Sequence, residues 1–178
     1  MIHRVQNRDN ILCRERFSVG PYYIQFAFSI EGRKKENASI IVEVSSRLDL
    51  PHAVLTFLAL VEAQHYTGFK VFWSLPALSI AVDEANQLDD MFKTPQITGM
   101  TQGFIESSPK FPCVKHSVGF LGYGPRFMIV FESDGEQEIS GQTCFGRVVR
   151  GINSLQILQT EAARGSNIQV IWSRILDV

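Results

Sequence analysis

Apolar residues along this chain gather in short runs separated by polar turns, and the runs are of two kinds. YYIQFAFSI, from Tyr22 to Ile30, is rich in aromatic residues, and beyond the charged turn EGRKKENA lies the β-branched run SIIVEV. Two such runs around a polar turn predict a β-hairpin. In PHAVLTFLALVEAQHY, Val54, Phe57, Leu58 and Val61 recur at helical spacing. Pro51 suits the first turn of that helix, where its missing N–H is not needed. KVFWSLPALSIAV returns to strand composition, is split at Pro76, and leads into an acidic loop containing Asp83, Glu84, Asp89 and Asp90. Further strands are expected at VGFLGY, RFMIVF, TCFGRVV and NIQVIWSRIL, with a short helix at GINSLQILQT. Many short strands with two helices predict a mainly β domain, a closed antiparallel barrel of about eight strands capped by two helices.

The first 20 residues follow neither pattern. Arg4, Arg8, Arg14 and Arg16 stand against Asp9 and Glu15 with weak periodicity, and the stretch ends at the Gly20-Pro21 breaker. It reads as a basic N-terminal arm (1–20) outside the core of a domain at 21–178. A solvated extension is the simplest role for such a charge run, and docking onto a partner or an acidic surface is the alternative. MIHRVQNRDN is too polar for a secretory apolar segment. The longest uncharged apolar run, Ala53 to Val61, falls well short of the roughly 20 residues a membrane-spanning helix needs.

Composition narrows the function. The chain has 178 residues, 45% hydrophobic and 20% charged, with a net charge of -1, which fits one ordinary globular domain. Neither disorder nor a general polyanion-binding surface is indicated, so no nucleic-acid partner is expected. Cys13, Cys113 and Cys144 lie far apart without a CxxC pair, and are expected to be buried or free thiols in a reducing, intracellular compartment, cytosolic or organellar. His52, His65 and His116 are dispersed and His3 lies in the arm, so no metal site is expected. No phosphate-binding glycine motif and no nucleophile-histidine motif occurs, and no cofactor is called for.

Four stretches, taken in order and at nearly constant relative spacing, resemble the cyclophilins, the β-barrel peptidyl-prolyl isomerases. TFLALVEAQHYTG is similar to the family's first helix and following turn, and VKHSVGFLGY to the entry into its central strands. CFGRVVRGINSL is similar to a phenylalanine-glycine strand and the glycine that opens the second helix, and IQVIWSRI to the closing strand. The resemblance covers about residues 21–178 and implies a cyclophilin-like barrel. These are matches of scaffold rather than of site.

The activity of that family has a plain physical requirement. Resonance holds an X-Pro bond planar against a barrier of about 18–20 kcal/mol. In the twisted state the proline nitrogen regains a lone pair, so a fixed cationic donor that binds it more strongly there lowers the barrier. The family is implied to use an arginine beside an apolar pocket for the proline ring, with no metal or cofactor. Carried onto VFWSLPALSIAVD, the arginine falls on Trp73 and its preceding histidine on Phe72. The pocket phenylalanine falls on Leu78, a methionine on Ser79, a substrate-gripping glutamine on Ala81, and a glycine pair on Val82 and Asp83. Tryptophan has one neutral donor where guanidinium has five and a permanent charge.

The remaining positions diverge as well. In GPRFMIVF a second glutamine becomes Arg126 and the pocket-floor phenylalanine becomes Met128, and a groove-lining loop is shorter between Tyr123 and Phe127. In EISGQTCFG, Glu138 replaces the pocket-rim tryptophan that the family uses to hold cyclosporin, Ile139 stays apolar, and a histidine is lacking between Gln142 and Thr143. A salt bridge to Glu132, Asp134, Glu136 or Glu138 is the default fate of Arg126. Trp73, Leu78 and Met128 are expected to fill the former pocket. The expected function is therefore a catalytically inactive cyclophilin-like protein, a module for a protein partner or a larger assembly. The alternative is an active or weak isomerase in which Arg126 supplies the guanidinium. A reader of proline-containing peptides without turnover lies between the two.

Overall fold

Burial alternates along the first hairpin as the pleat requires. In β1 (Tyr22–Ile30) the side chains of Tyr22, Ile24, Phe26, Phe28 and Ile30 are buried, and in β2 (Ala38–Val44) those of Ala38, Ile40, Val42 and Val44. The two strands are antiparallel in a register running from Tyr22↔Val44 to Phe28↔Ala38, which puts both apolar sets on one face. The computed structural model describes residues 2–33, 38–74, 77–81, 105–121, 126–131 and 142–177. Six further strands complete the sheet: β3 (Lys70–Ser74), β4 (Ala77–Ala81), β5 (Ser117–Phe120), β6 (Phe127–Val130), β7 (Thr143–Arg150) and β8 (Ile168–Leu176). They close into a barrel in the order β1-β2-β7-β5-β6-β4-β3-β8, and β8 returns to β1. This is the closed eight-stranded architecture expected from the sequence.

The barrel interior is filled mainly by rings. Phe57 and Phe145 lie 4.6 Å apart, Tyr66 and Phe127 4.9 Å, and Phe26 and Phe127 5.3 Å between centroids, in tilted or edge-on pairs. Phe57 comes from α2 (Pro51–Glu62), which closes one end of the barrel. Its first turn shows a complete accounting of backbone donors. Pro51 has none, the N–H groups of His52 and Ala53 donate to the two carboxylate oxygens of Glu106 at 3.3 and 2.7 Å, and Val54 N–H donates to Leu50 carbonyl. Leu50 offers no side-chain cap, so a buried acid 54 positions beyond His52 does that work. A third helix, α3 (Ile152–Ala163), buries Leu155 and Leu158 against the barrel. It opens at Gly151, whose φ of 84° and proximity to the Ser39 carbonyl leave no room for a Cβ.

Two sequence expectations are corrected. Residues 1–20 do not form an arm outside the core: Ile2–Phe17 is a helix, α1, packed on α2. Asp9, fully buried, meets His52 Nδ1 at 2.6 Å and accepts from Arg8. Cys13 belongs to the main core and its Sγ lies 3.5 Å from the Tyr22 hydroxyl, which donates to Ser18 carbonyl. This is also why α2 is buried continuously from Pro51 to Val61 rather than on one stripe, since the barrel covers one side and α1 another. The expectation of three unbridged thiols is likewise corrected. Cys113 and Cys144 form a disulfide with Cα atoms 5.4 Å apart, and Cys13 alone is free. Among the described residues no helix is long and apolar enough to cross a membrane.

Candidate functional site

Strand register decides which of the sequence-predicted positions can act together. Across β3, β4, β6, β5 and β7 one row runs Phe72↔Ser79↔Met128↔Gly119↔Cys144, and the next runs Trp73↔Leu78↔Ile129↔Val118↔Gly146. Side chains in one row share a face, and adjacent rows face opposite ways. Leu78, Ile129 and Val118 belong to the main core, so the second row faces the barrel interior. Met128 and Cys144 belong to a separate cluster with Ala77, Cys113 and Val130, so the first row faces outward.

The structure thus brings Phe72, Ser79 and Met128 together and separates them from Trp73 and Leu78. Trp73 is half-buried against the core, its ring edge-on to Phe131 at 5.4 Å and 89°. Leu78 is fully buried inside the barrel rather than presented on an outer surface. Ala81 is buried opposite Lys70. The outer cluster is itself closed: a Cβ on Gly119 would sit 2.6 Å from Thr143 carbonyl and 2.8 Å from Cys144 Sγ, so the disulfide packs directly onto β5.

Arg126 precedes β6 and is half-buried, its carbonyl accepting from Leu121 N–H at 3.0 Å. Burial lowers its pKa from the ordinary arginine value, and it remains a cation at physiological pH. Among the described residues no carboxylate pairs with it. Pro76, Val82, Asp83, Glu132, Asp134, Glu136, Glu138 and Ile139 lie outside the described residues. Among those described, no three histidine, cysteine or acidic side chains are grouped to hold a metal.

Clefts lie at two places among the described residues. One, about 890 Å³, lies under the end of α1 between Arg16, Phe17, Val19, Tyr23, Glu62 and Ile175. The other, about 410 Å³, lies between β3 and the α3–β8 turn. Neither is lined by Leu78, Ser79, Ala81, Arg126 or Met128.

Compared with solved structures, the chain superposes on a cyclophilin-type peptidyl-prolyl cis-trans isomerase from Cryptosporidium parvum. The TM-score is 0.58, identity is 15%, and the match covers 88% of this chain and 99% of that one. The chain has the cyclophilin fold. A structure of the same Cryptosporidium protein in the presence of the dipeptide Ala-Pro gives a TM-score of 0.60 at the same identity and coverage. No family model matches the sequence, and no curated protein matches it. The cyclophilin scaffold is therefore kept at a level of identity where fold is shared and side chains are free to differ. The groups that sequence reasoning missed, Glu106 at the α2 terminus, the Asp9–His52 pair and the Cys113–Cys144 bridge, all join segments distant in sequence.

Proposed function

We propose that this chain is a cyclophilin-fold protein without effective isomerase activity, serving as an interaction or structural module for a protein partner. The observation that carries this reading is Trp73. The residue that the family resemblance puts in the arginine's place is neutral, shares a register row with the interior residue Leu78, and packs on Phe131. Trp73 itself brings no positive charge to stabilise a developing lone pair on a proline nitrogen. By analogy with removal of an oxyanion-hole donor, such a loss costs roughly 2.7–4 kcal/mol, about 10²–10³ in rate.

A prolyl isomerisation assay on an Ala-Pro peptide tests the reading, with no acceleration over the uncatalysed rate expected. A second reading is supported by Arg126, a half-buried cation with no ion pair among the described residues. If catalysis is seen and Arg126→Ala abolishes it, Arg126 has replaced the missing donor. Because the Cryptosporidium protein was studied with Ala-Pro, the same dipeptide serves as the probe for proline-peptide binding without turnover. The bridge between Cys113 and Cys144 favours a compartment that permits disulfides over the reducing one expected from cysteine spacing. Thiol titration of the protein isolated from its own cells tests this: one reactive group after denaturation supports the bridge in place, and three refute it.

A further inference from the structure

Among the described residues the barrel ladder between β3 and β8 is short. β3 pairs with β4 along all five of its residues but registers with β8 only at Lys70↔Gln169. Val170 N–H donates to Phe69 carbonyl at 2.8 Å, so the backbone groups facing β8 belong to Phe69, Val71 and Trp73 in turn. The Val71 carbonyl and the Trp73 N–H and carbonyl follow on that edge beyond the last pair registered with β8 among the described residues. The cleft of about 410 Å³ lies here. Four consecutive residues, Lys70 to Trp73, line it, and alternate side chains point to opposite faces, so what the cleft exposes is the edge of the strand. Ala162, Gly165, Ser166 and Asn167 form the opposite wall, where small residues leave width for another chain.

We propose that this edge binds an extended acidic peptide segment of a partner protein, which adds to β3 as a short strand. An unpaired strand edge is a template for β-addition, in which main-chain bonds supply affinity and side-chain contacts specificity. The charge of the occupant is set by Lys70. It is exposed on the groove wall, and no acid pairs with it among the described residues. An edge lysine disfavours indiscriminate pairing, including that of two copies of this chain, which would bring like charges together, and it favours a strand carrying a carboxylate. Trp73 and Phe72, both half-buried, flank the groove as aromatic contacts. At a rise of about 3.3 Å per residue the edge from Val71 to Ser74 takes a segment of about four residues. This inference identifies the partner class of the module reading, but it does not depend on the isomerase result.

The test uses the full chain, ¹⁵N-labelled, titrated with a capped hexapeptide of alternating valine and aspartate. Controls are its lysine-for-aspartate counterpart and a version N-methylated on alternate residues, in both phases. The Trp73 amide is expected to shift downfield and gain protection from exchange with the acidic peptide. N-methylation in one phase should abolish this, and Lys70→Glu should weaken binding about tenfold with a loss of salt dependence. A Trp172→Phe protein gives the same readout through Trp73 fluorescence, and the wild-type spectrum stands if that variant does not fold. No shift at millimolar peptide overturns the proposal, as do equal binding of the lysine peptide and indifference to N-methylation. A concentration-dependent dimer that buries the Trp73 amide would overturn it in favour of a second copy as the occupant.

Discussion

Replacing Glu106 by alanine tests the reasoning on which the fold rests. Its carboxylate, 3% exposed, is the acceptor for the N–H groups of His52 and Ala53 at the start of α2. Losing the acceptor leaves buried donors unsatisfied at about 1–3 kcal/mol each, with the 2.7 Å bond to Ala53 counting fully and the 3.3 Å bond to His52 only in part. Removing a negative charge from a helix N-terminus adds about 0.3–1 kcal/mol. A total of about 2–4 kcal/mol follows, a large share of the 5–15 kcal/mol typical of a domain. At this chain length it corresponds to a fall in Tm of roughly 5–15 °C. Glu106→Gln can keep the acceptor for Ala53 N–H but loses the charge and the weaker acceptor for His52 N–H, so it should cost about 1–2 kcal/mol. Urea unfolding followed by intrinsic fluorescence measures both, and amide exchange at Ala53 locates the effect. An alanine variant within 0.5 kcal/mol of wild type would refute the accounting. A glutamine variant as unstable as alanine would assign the effect to the charge and the His52 contact rather than to the Ala53 hydrogen bond.

Three further outcomes are expected. Deleting residues 1–16 should destabilise the barrel, and Asp9→Ala alone should cost about 1–3 kcal/mol by removing the buried carboxylate that meets His52 Nδ1; an unchanged urea midpoint for either would restore the reading of a free arm. Replacing Cys113 and Cys144 together by serine should cost about 3–4 kcal/mol, since the bridge spans 31 residues; a variant matching wild type under non-reducing conditions would show that the bridge does not form. Burial, aided by Lys115, lowers the pKa of His116, so the unfolded chain takes up the proton first as pH falls below about 6.5 and stability declines from there. His116→Asn, which tolerates the φ of 67° at that residue, should flatten the stability profile below that pH, and an unaltered slope in denaturation at several pH values would exclude His116 as its source.

The barrel was legible because its signals are local. The aromatic and β-branched runs at Tyr22–Ile30 and Ala38–Val44, and the glycine at 151, each declare themselves within a few residues. The N-terminal helix was not legible because its inward face carries Asp9, Cys13 and Phe17, four residues apart. An acid whose partner lies 43 positions away makes such a stripe look solvated. The disulfide and the Glu106 cap have no local signature for the same reason. At the candidate site, residue identities could be read but faces could not. A one-residue change of register reverses every side chain, and only the observed pairing Trp73↔Leu78 shows that Trp73 turns toward the core while Phe72 turns away.

That separation bears on whether an arginine at position 73 would confer catalysis. Trp73→Arg would supply the guanidinium missing from the sequence position, but in a row that faces the barrel interior beside Leu78 and Ile129. The edge-on contact with Phe131 would be lost, about 0.5–1.5 kcal/mol. Trp73 is only half-buried, so the longer side chain can carry its charge outward to water rather than onto a substrate. The expected result is a folded protein destabilised by about 1–3 kcal/mol and still silent toward Ala-Pro peptides. Denaturation and the isomerisation assay on one preparation separate the two effects. Acceleration by this variant would mean that the side chain at position 73 reaches a productive groove after all, and the outward row of Phe72, Ser79 and Met128 would then be the wrong surface on which to judge the site.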